Sequence, residues 1–165
     1  MAKIQEITVD SAGLSAITFS SISQNFTHLR LLGSLRDNRT VFVGDNTLLR
    51  FNGDTATNYN YTYGSFSLGT NLASATSLFG LILVTTSANT ANFFASVDVL
   101  IPNYSSTTLG KGAFAYSGYG DGVTPLGRVG MGTWNSTAAI TSISITPNAG
   151  TLFSQYSQLT LYGIR

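Results

Sequence analysis

Apolar and polar residues alternate along most of this chain with a period of two. Tyr59, Tyr61 and Tyr63 are separated by Asn60 and Thr62; Val97, Val99 and Ile101 are separated by Asp98 and Leu100; Leu29 and Leu31 stand between His28, Arg30 and Leu32. Successive side chains of an extended strand point to opposite faces, so the pattern suits half-buried strands and not the three-to-four spacing of an amphipathic helix. Segments of helical composition, such as 72–75, are short and diluted by Ser and Thr, enough for one turn. Strands are expected at 4–9, 15–19, 28–36, 48–51, 59–66, 78–85, 93–101, 112–116, 128–133, 140–146 and 158–164. Turn chemistry separates them at Asn52-Gly53-Asp54, Ile101-Pro102-Asn103, 118–122 and 147–150. A length of 165 residues suits one domain. The expectation is therefore an all-β fold spanning 1–165, an antiparallel two-sheet β-sandwich of jelly-roll type with a short N-terminal strand or arm, or a barrel. No repeat with a period of about 20–50 residues is present, which excludes propellers and solenoids.

The segment 78–84, Leu-Phe-Gly-Leu-Ile-Leu-Val with Ile82 near its centre, departs from alternation by being apolar on both faces. Either it is a central strand whose outer side lies under a long loop, or a second copy of the chain covers it. Open sheet edges need charges, bulges or a partner to protect them. Charges are scarce here, 8 Lys+Arg and 7 Asp+Glu, or 9% of residues. Ser, Thr and Asn number 20, 22 and 12 and supply the surface polarity instead. Hydroxyls and amides desolvate more cheaply than ions, so such a surface suits burial against a partner. A homo-oligomer, a trimer by expectation, follows from these two features.

The same composition excludes much chemistry. A net charge of +1 with two lysines offers no field for nucleic acid. The absence of cysteine excludes disulfides, zinc–thiolate sites and thiol nucleophiles. No apolar run approaches the ~20 residues of a membrane span. The alternating opening of the chain has no apolar core of a secretory signal, so synthesis in a host cytoplasm without membrane insertion is expected. Five Asn-X-Ser/Thr sequons, at Asn25, Asn38, Asn60, Asn103 and Asn135, reflect composition.

His28, the one histidine, has no acidic residue spaced to make it a triad base and is expected to be a hydrogen-bonded strand residue. Glu6, Asp10, Asp37, Asp45, Asp54, Asp98 and Asp121 mostly fall in turns, where side-chain-to-backbone bonding explains them. Asp45-Asn46 with Asn52-Gly53-Asp54, or Gly120-Asp121-Gly122, offers oxygen atoms to calcium without a calcium-loop spacing. No catalytic residue, metal site or cofactor is expected. Arg30, Arg36, Arg39 and Arg50 place four of six arginines within a short stretch, where planar guanidiniums suit surface or subunit-interface pairing, with Asp37 and Asp45 nearby. Among the aromatics, Tyr119 between glycines is expected to be exposed, and Trp134 joins it as a candidate contact residue.

The C-terminal third carries Trp134-Asn135-Ser136-Thr137-Ala138-Ala139-Ile140-Thr141 and closes on Leu161-Tyr162-Gly163-Ile164. With Arg50-Phe51-Asn52-Gly53-Asp54, Asn58-Tyr59, Ile101-Pro102-Asn103-Tyr104 and the Leu29–Leu32 strand upstream, it resembles a β-domain of tailed-bacteriophage virion proteins over nearly the whole chain. That resemblance implies a virion structural protein and supplies no catalytic or metal motif. A receptor-binding fibre is expected to carry an attachment region and shaft before its tip, whereas here the domain is expected to run from near Met1 to Arg165. A capsid cement or decoration protein, docked on the major capsid protein, is the expected role. The alternative is a lectin-like tail component that binds a host-surface glycan through a loop groove.

Overall fold

The computed structural model describes residues 1–66, 69–120 and 125–165, with 69–75 described by backbone alone. Its regular elements are twelve strands: β1 (Ala2–Thr8), β2 (Ile17–Phe19), β3 (His28–Leu35), β4 (Gly44–Phe51), β5 (Tyr59–Ser65), β6 (Gly69–Thr76), β7 (Phe79–Thr85), β8 (Ala95–Ile101), β9 (Lys111–Tyr119), β10 (Leu126–Trp134), β11 (Ile143–Pro147) and β12 (Gln158–Ile164). The fold is all-β. An eight-stranded sheet runs β1-β12-β3-β8-β9-β10-β5-β6, and a four-stranded sheet runs β2-β11-β4-β7. Setting aside β5, β6, β9 and β10 leaves β1-β12-β3-β8 against β2-β11-β4-β7, which is the eight-strand, double Greek-key order of a jelly roll. The other four strands are two hairpins, one inserted between β4 and β7 and one between β8 and β11. Both extend the larger sheet beyond β8.

Alternation decides which residues fill the space between the sheets. Leu29, Leu31, Val97, Val99, Leu159 and Leu161 come from the long sheet, and Ile17, Phe19, Leu49, Phe51, Ile143 and Ile145 from the short one; all are buried in one apolar cluster. Burial of each such side chain stabilises the fold by roughly 1.5–3 kcal/mol.

β7 is where sequence and structure part. It is neither a central strand under a loop nor in need of a second copy. It is an edge strand, paired only with β4 in its sheet, and it is buried at every position. The inserted strands of the long sheet curl over it, so that β5, β9 and β10 all pack on β7. Close approach depends on two glycines of β10. A Cβ at Gly132 would lie 2.5 Å from Phe79 Cε1, and one at Gly130 would lie 3.0 Å from Leu81 Cδ2. The free edge of β7 is closed as well: Leu83 N–H donates to Ser117 Oγ at 2.8 Å, and the Thr85 carbonyl accepts from Asp37 N–H at 2.9 Å.

Two further differences concern boundaries. The segment around 72–75, expected as a helical turn at most, lies in strand β6, paired along β5. Its sequence Gly-Thr-Asn-Leu-Ala-Ser-Ala-Thr carries too little apolar contrast to display a period. β4 begins at Gly44 and not at residue 48, because its first residues pair with the end of β7.

Candidate functional site

The four clustered arginines do not form one site. Arg30, on the outer face of the long sheet, makes a two-pronged ion pair with Asp98 on β8, Nε–Oδ1 2.8 Å and Nη2–Oδ2 2.5 Å. That carboxylate holds the guanidinium above its ordinary pKa by hydrogen bonding and charge. Arg36 is buried, and its guanidinium donates to the carbonyls of Thr90, Phe93 and Asn89, pinning the β7–β8 loop. Arg39 pairs with Asp45 at 3.0 Å and lies over the Phe42 ring. Arg50 Nε donates to the Ser77 carbonyl at 3.1 Å. Two of the four are thus in ion pairs, Arg30 at the surface and Arg39 beside the buried Asp45, while Arg36 and Arg50 serve backbone carbonyls, because β3 and β4 diverge into different sheets.

Tyr119 and Trp134 are corrections too. Tyr119, expected to be exposed, is 7% exposed, because it shares the inward parity of Ala113, Ala115 and Ser117 on β9. Trp134 is 3% exposed and seals one end of the sandwich, 5.7 Å from Phe51 and stacked on Tyr59. Tyr59 in turn meets Phe79 edge-on at 4.8 Å. Each polar tip of this cluster has a partner. Trp134 Nε1–H donates to Asp54 Oδ2 at 2.7 Å, and the Tyr59 hydroxyl accepts from Phe51 N–H at 3.1 Å. Burial pushes the Tyr59 phenol up to about 12. Asp54 also accepts from Asn58 and from Ala56 N–H, which together with Trp134 hold its carboxyl below the usual range. Asn52 and Gly53 adopt positive φ in the turn that carries Asp54. The calcium-like oxygens at 52–54 are therefore turn and capping groups. His28 Nδ1 accepts from Asn103 N–H at 3.1 Å, as a strand histidine should. Asp121 lies outside the described residues. Among the described residues no cluster of three or more His, Asp or Glu is placed to hold a metal ion.

At the opposite end, here called the mouth, charges are buried. Asp37, just after β3, and Asp45, at the start of β4, meet, a pairing hidden from the sequence because both read there as turn residues. Asp45 receives N–H groups of Ala149, Gly150 and Asn46 as well as Arg39, and these hold its carboxyl below the usual range despite burial. Asp37 is fully buried, and its Oδ2 receives no donor. Burial and the Asp45 carboxylate push Asp37 up to about 7. Arg128, also missed, is 4% exposed and has its pKa lowered by desolvation. Parity could have found it, since 128, 130, 132 and 134 share one face and Trp134 is core. Lys111 is buried as well, with Nζ donating to the carbonyls of Ser106, Leu109 and Thr137.

The outer face of the inserted strands carries an apolar patch. β10 reverses the usual size order: glycines point inward at 130 and 132, and Val129 and Met131 point outward. Register sets Leu100, Phe114 and Met131 side by side across β8, β9 and β10, with Tyr116 and Val129 in the adjacent row. Tyr116 is 51% and Met131 54% exposed, and the Phe114 and Tyr116 rings meet edge-on at 4.7 Å. A groove of about 430 Å³ runs along this face between Met131, Phe114, Pro102 and Thr62. The Arg30–Asp98 pair stands on the β3 side of the patch.

Compared with protein-family models and with curated proteins, the chain finds no match in either.

Proposed function

We propose that this protein is a structural component of a tailed-bacteriophage virion, a capsid decoration protein that lays the outer face of its long sheet on neighbouring major capsid subunits. The observation that carries the reading is the outward-facing row of Leu100, Phe114 and Met131 with Tyr116 and Val129 beside it, in which Met131 and Tyr116 are exposed and the others half-buried. Contiguous exposed apolar patches on soluble proteins mark interaction surfaces. The patch is built on strands whose other side is locked to β7 and is flanked by the oriented Arg30–Asp98 pair, so docking orders few side chains. The role is mechanical and not catalytic. Buried area between capsid subunits is added from outside, and binding to the assembled shell stabilises it by mass action. The sequence resemblance to virion β-domains supports the same assignment. Self-association, with a trimer as the expected state, belongs to this reading: β1 leaves one edge of the long sheet unpaired, a row of N–H and C=O groups available to a second copy.

Co-sedimentation with assembled capsid shells tests the proposal. The wild-type protein should pellet with shells, and Met131→Asp should remain in the supernatant while keeping its circular dichroism spectrum. Retained binding by that variant, or location of the chain on the tail in images of particles, would overturn it.

A further inference from the structure

We propose that the mouth of the sandwich is a binding site for a carboxylate-bearing sugar, a uronic acid residue of an acidic glycan, with Arg128 receiving the carboxylate. The three buried cations among the described residues differ in how they are satisfied. Arg36 and Lys111 each donate to three backbone carbonyls. Arg128 has only neutral side chains: Nε donates to Ser65 Oγ at 3.2 Å, Nη1 donates to Asn46 Oδ1 at 2.5 Å, and the guanidinium carbon lies 3.8 Å above the Tyr63 ring. Among the described residues no carboxylate is within ion-pair distance of it, and its Nη2 makes no hydrogen bond. A buried cation without a counter-ion is costly, and a planar fork with one free prong is shaped for an incoming carboxylate.

Arg128 lines a cavity of about 510 Å³ that opens between β4, β5, β9 and β10, a volume in the range of small-ligand sites. Arg39 and Asp45 stand in the same cavity. With Asp45 already paired to Arg39, the cavity keeps a net positive charge from Arg128. The rest of the lining suits a hydroxylated ring. Asn46 and Asn148 present amides, and Phe42 at the rim is 59% exposed, with Arg39 on its ring. Inorganic phosphate would use the guanidinium and leave the amides and the ring idle. A sugar acid uses all of them. This site is distinct from the outer sheet face, so its failure leaves the docking proposal standing.

The test is a titration of the intact protein with digalacturonate, followed by amide and arginine side-chain NMR shifts. Parallel arms use its neutral methyl ester, inorganic phosphate and an acidic peptide. Saturable shifts at Arg128 Nε–H and around Tyr63 are expected, with affinity reduced about tenfold or more for the methyl ester and for Arg128→Lys, which keeps charge but loses the fork. Phe42→Ala, at an exposed position where folding is not at stake, should weaken binding severalfold. Equal binding of the ester, absence of saturation by digalacturonate, or an Arg128→Lys variant that binds as wild type would each overturn the site. Tighter binding of phosphate or of the peptide would overturn the sugar assignment.

Discussion

The two ends of the sandwich are closed by opposite means. At one end Phe51, Tyr59, Phe79 and Trp134 fill the gap between the sheets with ring on ring, and each polar tip finds a partner. At the mouth the gap is held by the buried Arg36, Asp37, Asp45 and Arg128 with the half-buried Arg39, charged groups whose hydrogen bonds must offset their loss of water. Aromatic packing has no charge of its own to titrate, and this end meets pH only through the Asp54 carboxylate that accepts from Trp134. Buried ions give orientation, and they make the same space responsive to protons and ligands. The contrast explains why the polar groups of one end are all satisfied within the fold, whereas the other holds a half-satisfied guanidinium.

The largest test of this contrast is Trp134→Ala, which should cost about 4 kcal/mol in urea unfolding by opening a cavity against Phe51 and Tyr59 and orphaning Asp54. A loss below about 1 kcal/mol would mean that the aromatic end is not the clasp described. Next comes Asp45→Ala at the mouth. It strands Arg39 and leaves the Ala149 and Gly150 N–H groups without an acceptor, for a cost of about 3 kcal/mol by the same measurement.

The third test is pH. Asp37 has a folded pKa raised to about 7, so the stability linked to its proton is fully present below the ordinary carboxylate value and is lost as pH rises through about 7. Asp45 is shifted the other way, so its contribution is present above that ordinary value and is lost as pH falls through its depressed folded value. Tm should therefore climb as pH is lowered from about 8 to about 5.5, and Asp37→Asn, which supplies a permanent donor beside Asp45, should flatten that climb. An unchanged slope in the variant would detach the effect from this pair. Smaller still is Arg128→Met, expected to be neutral or stabilising by about 1 kcal/mol, because an apolar side chain of similar length replaces an ion that has no counter-charge among the described residues. Met131→Asp on the outer face should change stability by no more than about 0.5 kcal/mol while abolishing docking on shells.

Alternation made most of the strands legible, because a period of two in Val97, Val99 and Ile101 or Leu29 and Leu31 has one physical meaning. Turn chemistry placed Asn52-Gly53-Asp54 correctly as a turn. Strand number and spacing pointed to a jelly-roll sandwich or a barrel, but neither the strand order nor the insertion of two hairpins into one sheet could be read, since pairing partners far apart in sequence leave no local mark. β6 was hidden by a polar, small-residue composition. The site was less legible than the fold. Arg30, Arg36, Arg39 and Arg50 are neighbours in sequence and were expected to share a surface; β3 and β4 belong to different sheets and send them apart. Tyr119 and Arg128 were misjudged or missed for a common reason: residue type was weighed ahead of parity. Glycines flanking a tyrosine suggest a loop, and a charge suggests solvent, yet both residues sit at inward positions fixed by their strands.

The enclosure of β7 has a kinetic side. Phe79–Thr85 is seven buried residues whose cover consists of β5, β9 and β10, and β9 and β10 are synthesised after it. Until those later hairpin strands arrive, a β-prone, uncharged heptapeptide waits with an open edge, in a topology dominated by distant pairings that assemble slowly. Self-templated clumping should therefore compete with folding most strongly while the C-terminal half is still being made, and amide exchange at Leu81 to Val84 should be among the slowest once the cover has closed.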